Sequence, residues 1–369
     1  MLVGVPKEIK NHEYRVGMTP SGVHELCRYG HSVIVETNAG DAIGFNDDTY
    51  AKAGAEIVQS AQEIFSRANM IVKVKEPQVE EYKMLRSGQL LFTYLHLAPD
   101  PIQTKALLES DCIAIAYETV TDIHGGLPLL APMSEVAGRL SIQAGARALE
   151  RHEGGSGTLL GGVPGVKPAN VVVIGGGMVG LNAARMAAGL NADVTILDRN
   201  LSVLQKIDIY SNGRIKTLYS NYMNLEEAVR EADLVIGAVL IPGAAAPKLV
   251  TQSMLKTMRK GSVLVDVAID QGGCFETSKP TTHAQPTYVI DGVVHYCVSN
   301  MPGAVAKTST LALTNATLPF VLDLANKGWK TAIHTNEHLK AGLNICHGNV
   351  TYSAVASNLG YPYFDPNSL

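Results

Sequence analysis

The sequence predicts an α/β chain built as two doubly wound, parallel-sheet domains joined by long helices. Three observations predict it. Short apolar segments of strand length alternate with helical segments along most of the chain, the pattern of parallel strands linked by crossover helices. At 369 residues the chain is too long for one hydrophobic core. Near its middle, Asn170-Val-Val-Val-Ile runs into Gly175-x-Gly177-x-x-Gly180, so an apolar strand enters an Ala- and Met-rich helix through a glycine turn.

The elements follow in order. Residues 2–5 read as a strand and 20–29 as a helix, which Pro20 suits at the first position because no N–H is needed there. Residues 32–36 read as a strand, 61–68 as a short helix and 70–74 as a strand. Strands at 89–95 and 112–117 flank a helical stretch at 101–109, and the glycines of 125–128 break the alternation. An Ala-rich helix over 133–151 leaves the first domain, and a Gly/Pro stretch over 154–168 leads to the strand at 170–174. The second domain continues with helix 181–190 and strand 193–197, then strand 215–219, helix 225–232 and strand 234–239. Strands at 263–267, 288–290 and 294–298 follow, and a long apolar helix over 306–326 pairs with 133–151 as a second connector. The tail through Leu369 then returns to the first domain. The expected division is therefore 1–128 plus 307–369, and 129–306, with the active site in the interdomain cleft.

The glycine turn carries chemistry. A strand entering a helix this way aims free backbone N–H groups and the positive end of the helix dipole at one point, where a pyrophosphate binds. Gly175 permits the tight turn, Gly177 the approach of the phosphate, and Gly180 the packing of helix on strand. Glycine turns are common, but a second strand here ends at Asp198, eighteen positions after Gly180. A carboxylate at that spacing accepts from the ribose diol and repels a 2′-phosphate. The reading is a Rossmann-like dinucleotide site that favours NAD over NADP. Arg199, next in the chain, reads as a solvated surface charge, although a guanidinium there could accept a phosphate.

Composition sets the class. The chain is 46% hydrophobic and 17% charged with net charge −4, and it has no basic patch, which argues against a nucleic-acid partner. No segment approaches membrane-span length and the N-terminus has no long apolar run, so the expectation is a cytoplasmic protein with no membrane partner. Five cysteines without a CxxC pair predict neither a disulfide framework nor a zinc knuckle.

Candidate polar residues fall at the C-terminal ends of first-domain strands, where open parallel sheets hold ligands. Arg15 follows the first strand, and its rigid fork suits a carboxylate. Lys75 ends Ile71-Val-Lys-Val-Lys, and His96 ends Leu90-Leu-Phe-Thr-Tyr-Leu. Any one of them alone reads as a surface charge or a structural imidazole. Three at equivalent strand ends read as a site. Asp270 ends a second-domain strand and is either a further site residue or a turn former before Gly272.

Several longer motifs go beyond this. They are Gly4-Val-Pro-Lys-Glu-Ile-Lys-Asn-His-Glu-Tyr-Arg15-Val, Lys73-Val-Lys75-Glu-Pro, Phe92-Thr-Tyr-Leu-His96-Leu-Ala and Tyr117-Glu-Thr-Val. Pro132-Met-Ser-Glu, Asp266-Val-Ala-Ile-Asp-Gln-Gly-Gly and Asn300-Met-Pro-Gly-Ala-Val complete the set. Together they resemble the alanine dehydrogenase/pyridine nucleotide transhydrogenase family over nearly the whole chain.

The resemblance implies NAD-dependent, reversible oxidative deamination of L-alanine to pyruvate and ammonia by a cytoplasmic homohexamer in amino-acid catabolism. It implies that Arg15 and Lys75 hold the substrate, and that His96 is the general acid/base with Asp270 as partner. It places cofactor contacts on Ser134, Met178, Val179, Asp198, Ser220, Val239 and Leu240. Val267, Ala268, Ile269, Asp270, Lys279, Val298, Ser299, Asn300 and Met301 extend that set. Val203 departs from a basic residue found there in some relatives. Two rival readings stay open: an NAD(H)-binding subunit of a proton-translocating transhydrogenase, and a dehydrogenase of another amino acid.

Physical chemistry agrees with the main reading. Hydride leaves the α-carbon of alanine only when the nitrogen lone pair is free, so a base near neutral pKa must take a proton from the ammonium. A histidine suits that work. Tyr94, Leu129 and Met301 are plausible walls for a methyl-sized pocket. His334-Thr-Asn-Glu337-His338 matches a zinc-peptidase pattern but reads as a solvated helix face, and no metal is expected. The sequon Asn349-Val-Thr351 carries nothing without secretion.

Overall fold

The computed structural model describes residues 1–239 and 246–369. Its strands, in chain order, begin with β1 (Leu2–Val5), β2 (Ser32–Glu36), β3 (Glu56–Val58), β4 (Met70–Val72), β5 (Leu90–Thr93) and β6 (Ile113–Ala116). Then come β7 (Asn170–Ile174), β8 (Asp193–Asp198), β9 (Lys216–Tyr219), β10 (Leu234–Gly237), β11 (Val263–Asp266), β12 (Thr287–Ile290) and β13 (Val293–Tyr296). The last two are β14 (Leu343–Cys346) and β15 (Asn349–Val350). They make two sheets in two compact units, Met1–Met133 with Val305–Leu369, and Ser134–Ala304.

The sheet of the first unit runs β15-β14-β6-β5-β4-β1-β2-β3. Strands β1 to β6 pair in parallel, whereas β14 lies antiparallel on β6 and β15 antiparallel on β14. All residues of β4, β5 and β6 are buried, as expected of parallel strands covered on both faces. The chain order reverses between β1 and β4, so the loops that leave those two strands part from each other at one edge of the sheet. The helix Pro20–Arg28 starts as its sequence dictates: Pro20 stands in the first turn and the Thr19 hydroxyl accepts the Gly22 N–H.

The second unit has the order β12-β13-β11-β10-β7-β8-β9, again doubly wound, with its reversal between β7 and β10. Only β12 is antiparallel, joined to β13 by a two-residue hairpin. Asp291 and Gly292 both have positive φ there, 52° and 84°, as a primed turn requires to match strand twist.

Against the expectations, both sheets carry antiparallel edge strands. Most strands are also shorter than predicted: β4 stops at Val72, β10 at Gly237 and β13 at Tyr296. Single bonds such as Lys73 N–H to the Phe92 carbonyl and Ala238 N–H to the Ile174 carbonyl continue past the paired residues. The Ala-rich helix spans Ala131–Ala148, two residues earlier at its start and three at its end. Residues 37–60 gave no signal, yet hold the helix Asp47–Ala53 and β3, whose three residues are too few for a periodicity to show. The chain breaks at Asn336 between the helices Trp329–Thr335 and Glu337–Lys340, so His334 and His338 do not share one helix face.

Candidate active site

In the first unit four polar side chains follow four neighbouring strands. Arg15 lies on the segment after β1 and is 2% exposed. Its Nε and Nη2 donate to the two carboxylate oxygens of Glu13 at 2.7 and 2.5 Å, and Nη1 stands 3.2 Å from the Met133 sulfur. Glu13 also accepts the Arg15 backbone N–H at 3.1 Å, so the fork is braced along one edge. The charge of Arg15 also reaches Lys75 and Tyr94.

Lys75 follows β4 and is half-buried. Burial lowers its pKa, the carboxylate of Glu76 opposes that, and the positive charges of Arg15 and Lys10 add to the lowering.

His96 follows β5 in the left-handed region, at φ 50°, which a residue with a Cβ adopts only when its surroundings hold it there. Glu118, in the turn after β6, supplies the hold. Its carboxylate accepts the His96 N–H at 2.6 Å and the Leu95 N–H at 3.2 Å, and one oxygen lies 3.8 Å from His96 Nδ1. The half-exposed imidazole lies parallel to the Tyr94 ring, at 2° and 5.9 Å. Tyr94 in turn donates its hydroxyl to the Leu129 carbonyl at 2.6 Å, joining two of the three expected pocket walls; Met301 belongs to the other unit.

In the second unit the glycine loop follows β7. Gly175 has φ 103°, and a Cβ on Gly180 would lie 1.8 Å from the Gly175 carbonyl oxygen, so the helix Met178–Gly189 seats on the turn only because Gly180 has no side chain. A Cβ on Gly177 would meet nothing within 4 Å. That glycine opens the helix without a side-chain cap, which leaves its first N–H groups for another partner. Asp198, at the end of β8, accepts the Gly176 N–H at 2.6 Å and the Asn200 N–H at 2.8 Å. An open cradle, an uncapped helix start and a carboxylate beside the loop fit a dinucleotide.

The other expected contacts stand on the same edge of this sheet or in later turns. Ser220 follows β9 and donates its N–H to the Asp198 carbonyl at 3.0 Å. Val239 follows β10, and Leu240 lies outside the described residues. Val267 and the buried Ala268 follow β11, ahead of the turn Ile269–Gln271. Asp270 occupies that turn, exposed, with Gly272 left-handed behind it at φ 92°, so the turn-former reading describes its backbone. Lys279 is exposed and donates its N–H to Tyr288 Oη at 2.7 Å. Val298 and Ser299 bridge to Thr281, Asn300 is left-handed at φ 58°, and Met301 opens the turn Met301–Val305. Ser134 is half-buried in the helix Ala131–Ala148, while Met178 and Arg199 are exposed. Val203 faces the loop, where its side chain would meet a Cβ on Gly176 at 2.6 Å.

Two family models match the chain. The N-terminal domain model of alanine dehydrogenase/PNT matches residues 4–137, and the C-terminal domain model matches 141–353. The chain belongs to the alanine dehydrogenase/PNT family. It is 62% identical to alanine dehydrogenase of Halomonas elongata over 100% of both chains. A solved L-alanine dehydrogenase superposes with TM-score 0.95 at 54% identity, covering 98% of this chain and 99% of that one. A transhydrogenase from Sinorhizobium meliloti superposes with TM-score 0.82 at 26% identity, covering 96% and 100%. The family is one of pyridine-nucleotide proteins, in keeping with the glycine loop.

Some residues that shape these strand ends went unread in the sequence. Glu118 lay inside a recognised motif, but nothing in one dimension shows that it bonds the backbone leaving the neighbouring strand β5. Asp266 is fully buried and accepts the N–H groups of Ala268, Cys274 and Phe275 and the Ser278 hydroxyl, so it folds the 267–278 segment around itself. Burial raises its pKa, which those donors oppose. One signal was available: a lone Asp inside Val-Leu-Val-Asp-Val-Ala, like Lys73 inside Ile-Val-Lys-Val, is a charge in a strand that must be buried.

Proposed function

We propose that the chain is an NAD-dependent alanine dehydrogenase that converts L-alanine to pyruvate and ammonia, and back. The observation that carries the reading is full-length identity of 53–62% to curated alanine dehydrogenases, against 26% to the transhydrogenase structure. NAD rather than NADP is supported by Asp198 beside the glycine loop. The contacts proposed to hold the cofactor run from Ser134 through Gly175, Gly177 to Gly180, Asp198, Ser220 and Val239 to the 267–270, Lys279 and 298–301 positions.

In this reading Arg15 and Lys75 hold the substrate carboxylate and its amino or carbonyl end. Fixed orientation of that kind can equal proton transfer in its effect on rate. His96 takes a proton from the alanine ammonium and releases it to solvent. It then takes one from the water that attacks the iminium carbon and gives it to the amine nitrogen as the C–N bond breaks and ammonia leaves. Asp270 is assigned as the partner that handles its proton. When bound, the nicotinamide supplies the hydride chemistry. The resemblance also supports a cytoplasmic homohexamer, and light scattering tests the oligomer. Mixing the protein with NAD and single amino acids, and following NADH absorbance, tests the activity. Turnover with L-alanine is the expected result, and NAD(H) binding without turnover of any amino acid would favour the transhydrogenase reading.

A further inference from the structure

The reversal of strand order between β1 and β4 leaves a problem that the sequence solves with a buried carboxylate. Past Val72 the Lys73 N–H still donates to the Phe92 carbonyl of β5 at 3.2 Å, but the N–H groups of Val74 and Lys75 are taken by no strand. Glu8, on the segment after β1, accepts them: one oxygen takes the Val74 N–H at 2.6 Å and the Lys75 N–H at 3.2 Å. The other oxygen takes the Lys73 ammonium at 3.2 Å. Lys73 also donates to Glu81 at 2.8 Å, whose second oxygen accepts the Gln78 N–H at 2.7 Å. The side chains of Lys73, Glu8 and Glu81 are at most 1% exposed. On the other side, the Lys75 carbonyl accepts the Thr93 hydroxyl at 2.9 Å.

We propose that Glu8 is a positioning residue for Lys75, the buried carboxylate that fixes where the lysine's backbone leaves the sheet and therefore where its ammonium meets substrate. The proposal rests on the reading of Lys75 as a substrate-holding group. Three charges so deeply buried are a poor way to gain stability alone, since well-packed apolar side chains of similar volume often do as well. What an apolar replacement lacks is the acceptor for two N–H groups at the point where the functional lysine begins. Glu8 touches no reacting atom in this scheme. Its effect passes through Lys75.

The test is a double-mutant cycle on the protein with Glu8→Met, which has no acceptor at that place, Lys75→Ala and the pair. The readout is the Kd of pyruvate for the enzyme–NADH complex by NADH fluorescence. Ammonia is absent, so no turnover intervenes. Glu8→Met is expected to weaken pyruvate about 10-fold, with NADH affinity changed less than twofold. In the Lys75→Ala background the same change should weaken pyruvate no further. Equal losses in both backgrounds, or no loss in either, overturn the proposal for Glu8 while leaving Lys75 in place. Unchanged pyruvate affinity in Lys75→Ala would instead overturn the substrate-holding reading. Should Glu8→Met fail to fold, Glu8→Asp is read in the same cycle, because a carboxylate one methylene short keeps the charge and withdraws the acceptor.

Discussion

Glu118 accepts the backbone N–H of His96 at 2.6 Å, and the same carboxylate lies 3.8 Å from that residue's Nδ1. One side chain thus holds a histidine in a left-handed backbone conformation and lies beside its ring. Substituting Glu118 by Ala should lower kcat roughly 10-fold or more, because the imidazole then settles into more ordinary φ/ψ angles. Replacing His96 by Ala should cost about 10²–10⁴-fold in turnover while NADH affinity stays within twofold. Steady-state kinetics and fluorescence titration check both. Loss of NADH binding in His96→Ala would mark a structural imidazole instead.

Two neighbouring glycines should respond in opposite ways. Gly180→Ala drives a methyl into the Gly175 carbonyl and should destabilise the second unit by several kcal/mol, about the cost of a severe packing clash. Gly177→Ala meets no protein atom and should leave the melting temperature within a few degrees, yet weaken NADH at least 10-fold. Thermal melts paired with titrations separate the two. Full NADH affinity in Gly177→Ala would place the pyrophosphate elsewhere.

Asp198→Ala removes the acceptor of the Gly176 and Asn200 N–H groups as well as the proposed ribose partner. NADH affinity should fall about 10-fold and NADPH affinity much less, so the preference between them narrows. Competitive titration of the two cofactors measures the ratio, and an unaltered ratio would remove Asp198 from recognition of the ribose.

Lys75 should make stability depend on pH. Burial lowers its pKa in the folded chain below the ordinary 10.5 of the unfolded one. Below the folded value both states carry the proton, and the folded state bears the full cost of a desolvated ammonium. As pH rises from the folded pKa toward 10.5, the folded lysine is neutral while the unfolded one is still charged, and this contribution turns toward stability. Lys75→Met should therefore melt above the parent at pH 7, with the gap closing as pH approaches 10.5, while turnover is lost. Calorimetry across that range decides it, and a gap that widens with pH would contradict the burial argument.

What the sequence by itself determined was the alternation of strands and helices, the glycine turn with its distant Asp198, and the strand ends that carry Arg15, Lys75 and His96. These are local properties: β-branched apolar runs, residues that tolerate positive φ, and charges where a strand stops. Only the tertiary structure decided which strands are neighbours. That placed β1 beside β4, brought Glu8 under Lys73, Val74 and Lys75, and set Glu118 on the backbone of His96 from one strand further along the chain. The antiparallel β14 joined β6 for the same reason, because pairing depends on which edge is left uncovered and not on the pattern within Leu343–Cys346. A buried charge such as Lys73 or Asp266 looks in one dimension like an error in an apolar run. Its partners exist only once the chain has folded back on itself.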